Sequence, residues 1–98
     1  MSVPFVFQQD ILKGRVAFVT GGASGIGRGI VEQLARAGAD VVIASRRAEL
    51  CEAAAQEVAQ AHGVRAIGLA LDVRKPEQVQ EVLDNAVAQM GRLDILVN

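Results

Sequence analysis

Glycines at 21, 22, 25 and 27 follow directly on the apolar run Val16-Ala17-Phe18-Val19, and an apolar pattern of helical spacing begins behind them. A stretch of this kind can bind phosphate. Glycine accepts positive φ and lets the backbone come close to an anion, while the first N–H groups of the following helix and its dipole face the negative charge. Thr20, Gly21, Ala23, Ser24, Gly25, Ile26 and Gly27 are therefore the candidate residues of this loop, and Ser24 is placed to cap the helix. The same glycines could also form a turn that holds no ligand. The usual dinucleotide pattern G-x-G-x-x-G/A is not met, because Ile30 stands where its third glycine or alanine belongs.

A second set of residues lies about twenty positions further on, where an NAD-binding fold puts a carboxylate for the adenine-ribose hydroxyls. Here the chain has Ser45-Arg46-Arg47. A carboxylate repels a 2′-phosphate, whereas a hydroxyl followed by guanidinium groups binds it through charge-assisted hydrogen bonds. These residues favour NADP(H) as cofactor. The bland reading is that both arginines only solvate the start of a helix. The same substitution of basic for acidic residues argues against a methyltransferase, which wants an acid at this place. A third set, Asp72-Val73, follows an apolar stretch at the end where α/β folds bind ligand. Asp72 could equally cap a turn before Arg74.

Alternating strands and helices must position these groups. The pattern predicts strands at 15–20, 40–45, 64–71 and 93–97, and helices at 25–37, 48–62 and from Pro76 to Met90. Ile26, Ile30, Leu34 and Ala37 are the expected apolar stripe of the first helix, and Leu50, Ala54, Val58 and Ala61 that of the second. Val79, Val82, Leu83, Ala86, Val87 and Met90 form the third. Four strands alternating with three helices imply an α/β fold, the first half of a doubly wound parallel sheet of Rossmann type. The expected strand order is 3-2-1-4, with helices on both faces. Gly68 places the third strand near an edge, and Phe5, Phe7, Ile11 and Leu12 are expected to cover the edge of the sheet.

Composition narrows the function classes. The 98 residues carry 51% hydrophobic and 21% charged side chains with a formal net charge of −1, which fits one globular domain and gives no basic run for nucleic acid. One Cys and one His make neither a protein-only zinc site nor an internal disulfide. Cys51 reads as a small apolar helix residue, and His62 as a helix-end dipole partner or a solvent residue. The first residues lack a positive n-region, and no stretch spans a bilayer, so neither a signal peptide nor a membrane partner is expected.

Three of these stretches and a fourth carry a resemblance. Thr20-Gly21-x-x-x-Gly25-x-Gly27, Ser45-Arg46-Arg47, Leu71-Asp72-Val73 and Gly91-Arg92-Leu93-Asp94-Ile95-Leu96-Val97-Asn98 stand in the order and spacing of the short-chain dehydrogenase/reductase family, and the chain resembles that family from Arg15 onward. The resemblance implies that Asp72 accepts from the adenine amino group and that the Val73 N–H meets a ring nitrogen. It implies that Asn98 stabilises the sheet near the cofactor ribose, and it leaves Asp94 structural. The family's Tyr-x-x-x-Lys and supporting Ser have no counterpart, since the chain has no Tyr. No catalytic residue is therefore assigned. Residues 1–14 read as a lead-in and 15–98 as a partial NADP(H)-binding domain that stops before the catalytic half.

Phe7-x-x-Asp10-Ile11-Leu12-x-Gly14-Arg15-Val16-Ala17-Phe18 and Val42-Ile43-Ala44-Ser45-Arg46 look like the 2,4-dienoyl-CoA reductase branch and related enoyl-CoA reductases. The implied reaction is hydride transfer from NADPH to an unsaturated acyl thioester, with a homo-oligomeric parent enzyme. A 3-oxoacyl reductase or another carbonyl or alcohol dehydrogenase of the family shares most of these motifs. A non-catalytic NADP sensor on the same fold is the reading from another class. The implied compartment is the cytoplasm for a bacterial protein, and the peroxisome or mitochondrial matrix for a eukaryotic one.

Overall fold

The structure is a computed structural model, and it describes residues 11–98. The expected packing of Phe5 and Phe7 lies outside the described residues. Seven elements alternate: β1 (Val16–Thr20), α1 (Gly25–Arg36), β2 (Asp40–Ser45), α2 (Ala48–His62), β3 (Ala66–Ala70), α3 (Pro76–Met90) and β4 (Ile95–Val97). All strand pairs are parallel, in the order β3-β2-β1-β4. The Rossmann-type α/β architecture and strand order read from the sequence are those found.

Strand side chains alternate between the two faces, so one sheet feeds two cores. On one face Ala17, Val19, Val41 and Ile43 meet Val31 and Ala35 of α1 and Cys51, Ala54 and Val58 of α2. On the other, Val16, Phe18, Val42 and Ala44 meet Ala86 and Met90 of α3. β1 and β2 are covered on both sides, which is why their sequences run apolar without alternation.

Two helix stripes differ from expectation. Ile26 is 87% exposed, and the face of α1 that meets the sheet is carried by Val31 and Ala35. Ile26 lies in the first turn of α1, ahead of the residues that reach the core. In α2 Leu50 is exposed, as is Ala61, and Cys51 and Ala55 are buried in their place, a rotation of the stripe by one residue. Val87 of α3 is likewise exposed, and so is Ile11, although the Leu12 N–H bonds the Ala37 carbonyl at 2.8 Å. α1 ends one residue earlier than expected, with Ala37 as its cap.

β3 and β4 are shorter than the sequence implied, each for a visible reason. The Arg65 N–H goes to Asp40 Oδ1 at 2.9 Å, a side chain in place of a ladder acceptor, and β3 begins at Ala66. β3 is an edge strand as expected, but Gly68 answers to packing. A Cβ there would lie 2.3 Å from the Cys51 carbonyl carbon, so the glycine lets α2 sit directly on the strand.

Asp94 precedes β4 and ties it to β1. Its N–H donates to the Val16 carbonyl and its Oδ2 accepts from the Val16 N–H, both at 2.8 Å. Arg92 at 2.7 Å and Arg15 at 3.5 Å flank Oδ1. The Arg92 hydrogen bond first, then that from Val16, holds the Asp94 carboxyl below its usual range. A lowered folded pKa contributes stability that is present above the unfolded value and is lost as pH falls through the folded one. The urea midpoint of Asp94→Asn should therefore lie below wild type at neutral pH, with the gap closing below about pH 4. A gap that stays constant down to pH 2 on the same measurement, a value about two units below the ordinary Asp pKa, would refute this role.

Candidate cofactor-binding site

The carboxyl ends of β1, β2 and β3 open on one side into a cleft of about 440 Å³. β1 contributes Thr20 and Gly21, β2 contributes Ser45 and Arg46, and the segment after β3 contributes Asp72 and Val73. Asn98, after β4, completes the wall. Thr20 and Gly21 of the first stretch singled out in the sequence thus meet Ser45, Arg46, Asp72 and Val73 at one place, while Ala23, Ser24, Gly25, Ile26 and Gly27 lie outside its lining. Arg47 is not among the lining residues. It occupies the cap position of α2, its N–H donates to Ser45 Oγ at 3.2 Å, and its guanidinium pairs with Glu49 at 2.9 Å.

The glycine loop runs beside this cleft from β1 to α1. Gly21 and Gly25 have φ of 69° and 60°, the left-handed region that glycine enters without strain. Gly27 serves a different need. A Cβ at that position would lie 2.0 Å from the Gly21 carbonyl oxygen, a backbone atom that cannot swing aside. Gly22 packs inward against Val31, Val19 and Ile43, and Ala23 packs on the same core.

Ser24 holds the cap position of α1 in extended backbone, yet its side chain makes no capping bond, contrary to expectation. The first helical bond of this turn runs from the Arg28 N–H to the Ser24 carbonyl at 3.2 Å. The N–H groups of Gly25, Ile26 and Gly27 precede the ladder and stay open as donors. A cradle of open N–H groups, without Cβ atoms at positions 25 and 27, fits a pyrophosphate.

Side chains in the cleft are already ordered by one another. The Thr20 hydroxyl lies 3.0 Å from Asn98 Oδ1 and 3.3 Å from the Val97 carbonyl, so Asn98 is tied to the end of β1. Ser45 Oγ lies 3.0 Å from the buried Cys51 Sγ. Asp72 forms the turn with Arg74: the Arg74 N–H and Nε donate to Oδ1, both at 3.0 Å, and Nη2 reaches Oδ2 at 2.9 Å. The Arg74 side-chain bond, then its backbone N–H, pulls the Asp72 carboxyl far below the usual carboxylate range. The turn reading of Asp72 is thus the geometry observed, and Oδ2 accepts one bond where Oδ1 accepts two.

Comparison with known proteins fits this arrangement. A short chain dehydrogenase family profile matches residues 15–98. The chain belongs to the short-chain dehydrogenase family. It is 44% identical over 93 residues to a peroxisomal 2,4-dienoyl-CoA reductase of Danio rerio, covering 95% of this chain and 31% of that protein. It is 38% identical over 87 residues to the 3-oxoacyl-[acyl-carrier-protein] reductase of Aquifex aeolicus, covering 89% and 35%. The chain spans about a third of the length of these relatives. Among solved structures, the citronellol catabolism dehydrogenase of Pseudomonas aeruginosa superposes with a TM-score of 0.88 at 38% identity, covering 95% of this chain and 38% of that one. L-sorbose reductase of Gluconobacter frateurii, complexed with NADPH and L-sorbose, gives 0.85 at 37% identity, covering 93% and 35%.

Two features escaped the sequence reading. Arg74 lines the cleft as a second guanidinium beside Arg46, and its position two residues after Asp72 was the available signal. His62, read as a helix-end or solvent residue, bonds Glu32 Oε1 across to α1 at 2.6 Å, and Arg28 holds Glu32 at 2.9 Å and Glu57 at 3.1 Å. That pairing between helices had no sequence signal, since the two residues are 30 positions apart.

Gly27→Ala tests the cradle. The new methyl group displaces the Gly21 carbonyl and with it the loop, so affinity for the dinucleotide should fall at least tenfold, as an order of magnitude for a lost charge-assisted contact set. Isothermal titration of the full-length protein reads this directly, and an unchanged dissociation constant is the contrary result.

Proposed function

We propose that this chain is the NADP(H)-binding portion of a reductase, and that the whole protein transfers hydride to an unsaturated acyl thioester of the 2,4-dienoyl-CoA or enoyl-CoA type. The cofactor reading is carried by Ser45-Arg46 at the carboxyl end of β2, lining the same cleft as Thr20-Gly21 with no acid in that position. Ala23, Ser24, Gly25, Ile26 and Gly27 hold the pyrophosphate by backbone N–H groups, and Gly21, whose own N–H is donated to the Ala44 carbonyl at 2.7 Å, gives the loop its left-handed turn. Ser45 and Arg46 receive the 2′-phosphate, and Arg47 orients Ser45 through its N–H. Asp72 and Val73 take the adenine edge, and Asn98 steadies the ribose side through Thr20.

When bound, the nicotinamide supplies a hydride donor. This chain's residues supply orientation and charge complementarity. They supply no tyrosine, so the proton-donating group of the reaction is sought elsewhere in the whole protein. The substrate class rests on the likeness to 2,4-dienoyl-CoA reductases, and a 3-oxoacyl thioester is the second reading, favoured by the likeness to the Aquifex aeolicus enzyme. Assay of the full-length protein with NADPH against a 2,4-dienoyl-CoA and a 3-oxoacyl thioester separates the two.

Arg46→Ala should weaken NADPH about ten- to a hundredfold, the range expected for a lost hydrogen bond to a charged group, and leave NADH nearly unchanged. Ser45→Asp combined with Arg46→Ala adds repulsion against the 2′-phosphate and an acceptor for the ribose hydroxyls, and should reverse the preference. kcat/KM for both cofactors decides it. Equal weakening of both by Arg46→Ala, or a wild type that prefers NADH, refutes the reading.

A further inference from the structure

The cleft contains a conflict of charge. Asp72 shares it with Ser45 and Arg46, and a bare carboxylate in that position repels a 2′-phosphate and competes with it for the Arg46 guanidinium. Among the described residues Arg46 enters no ion pair, although Asp72 feels its charge. Arg74 stands between these alternatives. Its planar fork grips both oxygens of Asp72, the geometry in which Arg–carboxylate pairing is strongest.

The bonds can be counted. A carboxylate offers about two acceptor positions on each oxygen. Oδ1 receives the Arg74 N–H and Nε, and Oδ2 receives Nη2 alone, which leaves one position on Oδ2. That single position matches one N–H of an exocyclic amine. The Asp72 side chain is 15% exposed and that of Arg74 70%, so the guanidinium lies on the solvent side of the carboxylate it holds.

We propose that Arg74 is a positioning residue for cofactor choice: by occupying Asp72 it keeps Arg46 available to the 2′-phosphate and leaves one acceptor position on Oδ2 for the adenine amine. The proposal rests on the NADP(H) reading above. Its action is indirect, through the Asp72–Arg46 pair that Arg74 prevents. Loss of Arg74 frees Asp72 to capture Arg46 and adds an uncovered negative charge beside the phosphate. Both effects fall on NADPH and spare NADH.

The experiment measures dissociation constants of NADPH and NADH for the full-length protein and for Arg74→Ala, Arg74→Lys, Asp72→Asn with Arg74→Ala, and Arg46→Ala. Arg74→Ala should weaken NADPH about two- to fivefold more than NADH, the scale of an exposed charge pair. Arg74→Lys, which keeps the charge but not the fork, should recover part of that selectivity. Asp72→Asn with Arg74→Ala removes the competing carboxylate and should bring the NADPH/NADH ratio back toward wild type. A ratio unchanged by Arg74→Ala overturns the proposal, as does a double variant no more selective than Arg74→Ala, which would make Arg74 a direct phosphate ligand. Arg46→Ala separates the two layers: if it leaves the preference for NADPH over NADH unchanged the NADP(H) reading itself fails, and if it reduces that preference while Arg74→Ala does not, only the role of Arg74 fails. Thermal midpoints of each variant, with Arg74→Lys as the gentlest change, guard against loss of fold.

Discussion

The close approach of Gly27 to the Gly21 carbonyl is the contact on which the site depends. A Cβ at position 27 would fall 2.0 Å from that oxygen, so only glycine allows the first turn of α1 to rest on the end of β1. From this one approach the rest follows. The helix N-terminus, with its open N–H groups, is brought to the carboxyl edge of the sheet, and Gly22 is pressed into the core against Val19, Val31 and Ile43. β1 in turn is pinned on both sides, by register with β2 and by the Asp94 bonds that begin its pairing with β4. The loop is thereby held on a strand that cannot shift.

The charges of the cleft are arranged by the same parallel topology. β2 and β3 run side by side and end together, which brings Ser45 and Arg46 into the same cleft as Asp72 although 26 positions separate Arg46 from Asp72 in sequence. A basic residue after β2 and an acidic one after β3 would pair if left alone. Arg74, two residues beyond, occupies the acid through its fork and its own N–H, and this local pairing costs little chain entropy because the partners are near neighbours. On the proposed reading, selectivity in this cleft depends on which charges are already occupied as much as on which are present.

The architecture was legible because its signals are local. Apolar runs of strand length, Pro76 at a helix start, Gly63 and Gly91 in the left-handed region at helix ends, and the glycine loop all speak through neighbours in sequence. The helix faces were less so. Ile26 satisfied the apolar spacing yet stands exposed in the first turn, ahead of Val31 and Ala35, and Leu50 gave way to Cys51 because Gly68 draws α2 onto β3 at that point. Periodicity fixes the width of a stripe better than its centre. The Glu32–His62 bond and the Ser45–Cys51 contact arise from the docking of α1 and α2, and helix docking is a property of the packed sheet. Asp72 had two readings in sequence, and the turn with Arg74 became visible only with side-chain geometry.

A crystal structure of the full-length protein with NADP⁺ tests the central claim most directly. The expected result is a pyrophosphate on the N–H groups of Gly25 to Gly27, and a 2′-phosphate within hydrogen-bonding distance of Ser45 Oγ and the Arg46 guanidinium, about 2.7–3.2 Å. A dinucleotide whose 2′-phosphate points to solvent, with Arg46 paired to Asp72 instead, would contradict it.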